Sequence, residues 1–402
     1  MLDAFIYDGV RTPFGRHAGA LAHLRPDDMA AHVIRELMTR NPFDPADVED
    51  VILGCVCQAG EDGRNIARFA GLLAGLPIGA GGLTVNRLCG SGMSAILDAA
   101  RSVRLGEAQL YVAGGVESMT RAPFILAKSK APFDRDHQMY DTTIGMRFPN
   151  SAFVAQFGDD SMPQTGDNVA AAFSIRRDEA DRFAYASQQK FEAARRDGFF
   201  DGEIAPVSIS IGRKETRTVS TDEHPRPETS LDKMAALSPL QPGGVVTAAN
   251  ASGVNDGAGA LLVGSAAIGE KAGARPKARI LSGAIAGVEP RVMGIGPAYA
   301  IPKALARAGL ALELMDLIEI NEAFASQVLA CTKQLGIASE DSRLNPNGGA
   351  IAVGHPLGAS GARIVMSAAR QLHRMGGRYA VLSMCIGVGQ GIAMVIENAD
   401  PA

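Results

Sequence analysis

The stretch Val85-Asn86-Arg87-Leu88-Cys89-Gly90-Ser91-Gly92 decides how this chain is read. A β-branched approach leads to one cysteine, then to Gly-Ser-Gly. Small or apolar residues then recur at Met93, Ile96, Leu97, Ala100 and Val103. That spacing predicts a helix, and Gly106 suits its C-terminal cap. Cys89 therefore falls at a strand-to-helix turn, beside the positive end of a helix. Free N–H groups and the helix dipole favour a thiolate there, so an easily ionised thiol is expected. The glycines let a ligand approach the backbone. A small buried cysteine at a packing turn fits the same pattern, and this stretch alone leaves both readings open.

The turn recurs further along. Leu88–Arg101 aligns without gaps with Leu357–Arg370, so Cys89 meets Gly358 at an offset of 269 (358 minus 89). Val48–Gly54 and Leu314–Ile320 match at 266 when Asp50 meets Asp316 (316 minus 50). Two matches at nearly one offset predict an internal duplication. The expected fold is α/β: two similar halves packed together, each presenting a Gly-Ser-Gly-type helix start near a pseudo-twofold axis. The first half is expected over 1–120 and completed by 251–273, with the second over 274–402. Between them, 121–250 breaks the strand-helix rhythm and reads as an insertion, the usual form of a lid or substrate-binding surface.

Within the first half, strands are expected at Ala4–Tyr7, Val48–Val56 and Leu110–Gly115, and helices at Met29–Met38 and Asn65–Ala74. The alternation points to a mostly parallel sheet. Inside the insertion one helix stands out, Asp178–Asp197, with acids in its first turn and Arg195 and Arg196 in its last. Arg213–Lys233, rich in charge, threonine and proline, reads as a surface excursion. A 402-residue chain has room for two or three cores. With a net charge of −4, mixed signs and no long basic run, nothing suggests a nucleic-acid surface. The apolar runs are short, so no membrane span is expected. Met1–Ile6 reads as a first strand rather than a signal peptide. Five scattered cysteines form neither a disulfide framework nor a zinc motif, which suits a reducing cytoplasm.

The repeat exposes an asymmetry. Where the first half has Cys89, the second has Gly358, preceded by Gly354-His355-Pro356. If the turns face each other, His355 approaches Cys89, and a cysteine beside a histidine is the minimum for an activated thiol. Met384-Cys385-Ile386-Gly387-Val388-Gly389-Gln390-Gly391 follows the strand Tyr379–Ser383 and corresponds by the repeat to Gly115–Glu117. Active-site groups gather at such strand ends. Cys385 is thus a second candidate thiol, and the glycines around it offer N–H groups to an oxyanion or simply make a tight turn. In Glu319-Ile320-Asn321-Glu322-Ala323-Phe324-Ala325, Asn321 fits a helix N-cap or presents its amide to a bound water. Glu322 needs a partner or a function. Cys55, Cys57 and Cys331 read as core residues.

Taken together, NRLCGSG, NASGVNDGA, NEAFA, GGAIAVGHPLGASGAR and CIGVGQG resemble the thiolase family, in the family's order and over essentially the whole length. The resemblance implies a duplicated five-layered α-β-α-β-α core with an inserted loop domain, and acyl transfer between a cysteine and coenzyme A. By it, Cys89 is the nucleophile that becomes acylated, and His355 takes the proton from Cys89 and later from the coenzyme A thiol. Cys385 exchanges a proton with the α-carbon of acetyl-CoA. Asn321 holds a water that forms one oxyanion hole with His355, and the N–H groups of Cys89 and Gly387 form the other. Ser252 lies near the pantetheine, and Arg226 contacts the adenine. Coenzyme A is a co-substrate, no cofactor or metal is implied, and a homodimer or homotetramer is expected.

Members selective for acetoacetyl-CoA carry His-Met-Gly in the loop domain, where this chain reads Ser161-Met162-Pro163. That stretch, Asp141–Phe148 and Val288–Pro297 (with Met293) resemble members that cleave 3-oxoadipyl-CoA to succinyl-CoA and acetyl-CoA in aromatic degradation. Their substrate ends in a carboxylate. Arg147 is the first candidate cation for it and Arg64 the second, each otherwise a surface ion pair. The alternatives are a broad-range 3-ketoacyl-CoA or acetoacetyl-CoA thiolase and a non-catalytic acyl-CoA- or lipid-binding relative. A condensing synthase, which pairs one cysteine with two histidines, is disfavoured by Cys385.

Overall fold

The computed structural model describes residues 1–129, 131–211 and 215–399. Residues 213 and 214 of the charged stretch, and the last three of the expected second half, lie outside them.

Among the described residues a ten-stranded sheet runs through both halves. From one edge its order is Leu317–Ile320, Tyr379–Ile386, Gln390–Asn398, Ala278–Gly287, Ala4–Arg11, Asn255–Gly264, Leu110–Ser118, Val48–Gly54 and Gly81–Val85. The short strand Gly15–Arg16 pairs with Asn255–Gly264. The halves meet where Ala4–Arg11 and Ala278–Gly287 run antiparallel, Ala4 opposite Ile280 and Ile6 opposite Ala278. Counted outward from this seam, Leu110–Ser118 and Tyr379–Ile386 take corresponding places, as do Val48–Gly54 and Leu317–Ile320. Gly81–Val85 is an extra edge strand of the first half.

The sheet is not mostly parallel. Parallel pairing is confined to Val48–Gly54 with its two neighbours and to Leu317–Ile320 with Tyr379–Ile386. Helical crossovers join those strands. Each half ends on a strand that returns antiparallel, and Tyr379–Ile386 reaches Gln390–Asn398 through Gly387-Val388-Gly389 alone. Three residues cannot make a crossover.

Side-chain alternation along the strands builds five layers. Ile52 and Ala113 face the middle, where the helices Ser91–Leu105 and Leu357–Met375 lie together through Met93, Ile96 and Leu97 and through Ile364, Val365 and Leu372. Leu382 and Met394 close that layer from the other half. Val51, Leu53 and Val112 face outward, onto Met29, Val33 and Ile34 of helix Pro26–Thr39 and Ala67 of helix Ile66–Ala74. On the opposite side, Ile301 and Leu305 of helix Gly296–Ala308 and Val328 of helix Ala325–Leu335 cover Ile318, Ile320 and Val381. Each fully buried Val, Leu, Ile or Met among these contributes roughly 1.5–3 kcal/mol.

The insertion carries the helices Met162–Ala172 and Arg177–Arg196 and two ribbons, Phe124–Leu126 with Met139–Asp141 and Val207–Ile211 with Glu215–Val219. Arg177–Arg196 docks on the second half, Ala180 and Ala184 packing with Ala325 and Ile351. The 213–233 stretch is not wholly a surface excursion. Asp222 takes both Nη atoms of the fully buried Arg11 (2.6 and 2.9 Å), while Glu203 accepts its Nε at 2.6 Å. A buried guanidinium requires such partners, and they tie the insertion to the first strand. No helix among the described residues is long and apolar enough to cross a membrane.

Candidate active site

The Cys89 turn is set by its own polar side chains. Leu88 is held at φ 45°, where Asn86 Oδ1 accepts its N–H at 3.0 Å. Ser91 Oγ accepts the Arg87 N–H (2.8 Å) and donates to the Leu88 carbonyl (2.6 Å). The helix then starts at Ser91 and presents Cys89, 8 % exposed, at its mouth. Burial pushes the thiol up to about 11, against the lowering pull of the N–H groups of Gly387 and of Cys89 itself. The expectation of an easily ionised thiol is therefore corrected. Desolvation outweighs the helix terminus, and the charge of Glu117 adds to it.

The His355 turn follows another local logic. Gly354 takes φ 101°, and a Cβ there would strike Asn255. Asn255 Oδ1 accepts the His355 N–H at 2.9 Å. The imidazole Nδ1 lies 2.6 Å from Ser360 Oγ, which also lies 2.9 Å from the Pro356 carbonyl. That carbonyl can only accept, so the single hydroxyl proton goes to it and Nδ1 must donate. The lone pair is then on Nε2, 3.5 Å from Asn321 Nδ2. Burial, reinforced by Arg363, pushes the imidazole down to about 3 and keeps it neutral. Asn321 Oδ1 is buried without a partner among the described residues. Asn321 is not an N-cap. Phe324 bridges to Ala251 and stays extended, so the helix starts at Ala325.

The two turns touch backbone to backbone. A Cβ at Gly92 would run into the Gly358 carbonyl, and one at Gly361 into the Met93 amide. Cys385 is fully buried in a cluster with Met293, Ala251, Ala323, Phe324 and, at its edge, Met162. Burial pushes this thiol well up, and the charges of Cys89 and Cys331 add to that. Gly387 stands beside Leu88 and Met162. The structure thus gathers Cys89, His355, Asn321, Cys385, Gly387, Met162 and Met293 into one region where both halves and the insertion meet. Ser252 adjoins it, its N–H on the Ala323 carbonyl at 2.9 Å. Arg226 sits further out, its Nη1 on the His224 carbonyl (2.6 Å) and its N–H on Gln188 (2.9 Å). Arg147 donates to the carbonyls of Cys57 (2.7 Å) and Thr142 (3.0 Å), and among the described residues no carboxylate pairs with it. Arg64 is exposed. Glu322 has its partners: Ser187 Oγ (2.6 Å), Asn345 Nδ2 (2.9 Å) and the Ile351 N–H (3.2 Å).

Sequence reasoning passed over Ser360 and Glu117. Ser360 carried a signal, since it aligns with Ser91 in the repeat. Glu117 accepts the N–H groups of Cys57 and Gly358, both at 2.9 Å, and of Val56 at 3.1 Å, so it links the halves. Cys55, Asp62 and Glu117 bring three potential metal ligands within 4.8 Å of one another. Backbone N–H groups already occupy both carboxylates, which leaves them poor metal ligands.

The N-terminal thiolase domain model matches residues 4–267 and the C-terminal thiolase domain model residues 274–398. The chain is 53% identical over 400 residues to a beta-ketoadipyl-CoA thiolase of Acinetobacter baylyi, covering 99% of this chain and 100% of the other. It is 52% identical, with the same coverage, to a 3-oxoadipyl-CoA/3-oxo-5,6-dehydrosuberyl-CoA thiolase of Escherichia coli. The crystal structure of human mitochondrial 3-ketoacyl-CoA thiolase in complex with CoA superposes with a TM-score of 0.90 at 39% identity, over 98% of each chain.

Proposed function

This chain belongs to the thiolase family of acyltransferases, and from that premise we propose that it cleaves 3-oxoadipyl-CoA with coenzyme A to succinyl-CoA and acetyl-CoA. The observation that carries the substrate is full-length likeness to enzymes named for it. Arg147 supports the same reading. Its guanidinium is anchored on carbonyls and meets no carboxylate among the described residues, so its charge stays available to the substrate's distal carboxylate.

In the proposed reaction Cys89 Sγ attacks the 3-keto carbon while its proton passes to His355 Nε2. The new alkoxide is held by the N–H groups of Cys89 and Gly387. Collapse breaks the bond between C2 and C3 and leaves a succinyl thioester on Cys89. The departing acetyl-CoA enolate is held by a water on Asn321 and by the Nε2–H of His355, and Cys385 protonates its α-carbon. The proton on His355 then restores the Cys385 thiol. Coenzyme A gives its thiol proton to His355 and attacks the thioester, and Cys89 leaves and takes that proton back. Two separate anion sites are needed because charge develops on two oxygens in turn, each site lowering its barrier by roughly 3–4 kcal/mol. Met162 and Met293 line the acyl side, Ser252 borders the pantetheine, and Arg226 meets the adenine.

We also propose the division 1–120 with 251–273, 121–250 and 274–402, a cytoplasmic location and a homodimer or homotetramer. All five cysteines are free. The unpaired edge strand Gly81–Val85 and the exposed Phe69, Leu73 and Ile78 beside it favour self-association. The test is thiolysis across a panel of 3-oxoacyl-CoAs with and without a terminal carboxylate. Higher kcat/KM for the dicarboxylic substrate is expected. Preference for 3-oxohexanoyl-CoA would make this a broad-range thiolase, and full thiolysis by Cys89→Ser would refute the nucleophile.

A further inference from the structure

Glu117 ends the strand Leu110–Ser118, and the corresponding strand of the other half, Tyr379–Ile386, leads into Gly387. Each strand end addresses the opposite turn. The Gly387 N–H points at Cys89. The Glu117 carboxylate accepts the N–H of Gly358, the residue that matches Cys89 in the repeat, at 2.9 Å. The N–H groups of Cys57 (2.9 Å) and Val56 (3.1 Å) complete a three-amide pocket around that carboxylate. Glu117 is 1 % exposed. The duplicated frame therefore holds two amide-lined corners, and in one of them the acceptor is a carboxyl group of the chain itself.

We infer that Glu117 is a positioning residue: an internal carboxylate, lodged in the amide pocket matching the Cys89 corner, that fixes the His355 turn against the half bearing Cys89. Gly358 is three residues from His355, so releasing its N–H frees the start of the helix that carries the imidazole's Ser360 support. Burial pushes the Glu117 carboxyl up to about 7, against the lowering pull of the Cys57, Gly358 and Val56 N–H groups. Both oxygens face N–H donors, so above that pH the pocket holds the ionised form. A glutamine there must turn its own NH2 toward one of them. The titratable groups facing Glu117 are Cys55, at 4.0 Å, and Asp62 on the loop after Val48–Gly54, and Cys89 across the turn. The His355 turn contributes the Gly358 amide.

The inference rests on the roles proposed for Cys89 and His355, and its test separates the two. Full-length E117Q and E117A are compared with the wild type in kcat, KM for coenzyme A, and the pH profile of Cys89 alkylation by iodoacetamide, with formate added to E117A. Glutamine is expected to lower kcat by about 100-fold, the scale of a small misplacement of a catalytic group, with KM unchanged. The alkylation profile of Cys89 should move to lower pH, because a negative charge beside the thiol is gone. Formate, a small anion for the same amides, should restore part of the E117A turnover. Folded E117Q with wild-type kcat overturns the inference and leaves the Cys89 assignment intact. Lost turnover with an unmoved alkylation profile and no formate rescue also overturns it, reducing Glu117 to a structural residue. Wild-type alkylation that misses Cys89 overturns the nucleophile assignment instead.

Discussion

Replacing Ser360 with alanine tests how the imidazole is kept in its reactive form. Ser360 Oγ is 2.6 Å from His355 Nδ1 and 2.9 Å from the Pro356 carbonyl. The hydroxyl proton goes to the carbonyl, so Ser360 holds the proton of the imidazole on Nδ1 and leaves Nε2 basic. Alanine removes the acceptor at a site where both residues are buried. A buried donor without a partner costs roughly 1–3 kcal/mol. The imidazole can escape that penalty by moving its proton to Nε2, where it can no longer play the proposed part of base toward Cys89. Charged to the reactive tautomer, the penalty lowers kcat by about 5- to 150-fold. KM should change little, because Ser360 meets the imidazole and not the substrate. Thiolysis kinetics and the melting temperature of Ser360→Ala and Ser360→Thr supply the assay. Threonine keeps the hydroxyl and should recover most of the loss. Wild-type kcat in the alanine variant, or equal loss in both variants, would refute the reasoning.

Three further outcomes are expected. Arg147→Ala should raise KM for 3-oxoadipyl-CoA far more than KM for acetoacetyl-CoA, and equal effects on both would sink the role proposed for it. Arg11→Ala leaves Glu203 and Asp222 without their buried cation, so a loss of about 3–5 kcal/mol is expected in denaturant unfolding, and a change near zero would show that the two acids find other partners. His224 is held down to about 4 by burial and by the neighbouring Arg226 and Arg16. Between that value and its ordinary 6.5 the unfolded chain binds the extra proton, so this group's contribution to stability is lost as pH falls through that window. The melting-temperature advantage of wild type over His224→Gln should therefore shrink from pH 6.5 to pH 4.5, and a growing advantage would reverse the sign.

The duplication was legible because it is written twice in one chain. Cys89 against Gly358 foretold that the helices Ser91–Leu105 and Leu357–Met375 start face to face, and the touching backbones of Gly92 and Gly358 give the physical reason for glycine there. Strand direction was less legible. Periodicity places strands but does not orient them, and the three-residue return after Ile386 outweighed the βαβ rhythm. The N-cap at Asn321 failed because a long-range bridge, Ala251 to Phe324, keeps the chain extended past it. Asp222 was hidden in a polar stretch, since its buried partner Arg11 lies 211 residues away. Ser360 and Ser91 are a subtler case. Both fold a hydroxyl back onto the preceding turn, Ser91 onto the Leu88 carbonyl and Ser360 onto that of Pro356. Only the second also meets an imidazole, because His355 stands where the first copy has Asn86, and the sequence does not say that the ring turns its Nδ1 onto that hydroxyl.

The thiol state is where local reasoning and tertiary context part most sharply. A helix N-terminus favours a thiolate in a solvated turn. At Cys89 the same N–H groups are present, yet burial carries the thiol up to about 11 while it carries His355 down to about 3. Both displacements share their largest cause, the low polarity where the layers meet, with Glu117 adding to the first and Arg363 to the second, and both favour the uncharged form. At neutral pH the resting pair is therefore thiol and imidazole, not thiolate and imidazolium. Proton transfer between them creates two charges in that medium and is uphill until a substrate oxygen accepts the negative charge. In the proposed reaction attack and deprotonation then belong to one event, and the N–H groups of Gly387 and Cys89 would stabilise the alkoxide rather than the resting sulfur. A thiol kept neutral between turnovers is also protected from oxidation, since the thiolate is the reactive species. Iodoacetamide should accordingly label Cys89 slowly at pH 7 and faster as pH rises. Rapid labelling at pH 7, levelling off below pH 8, would mean that a standing thiolate exists and that the helix terminus outweighs burial after all.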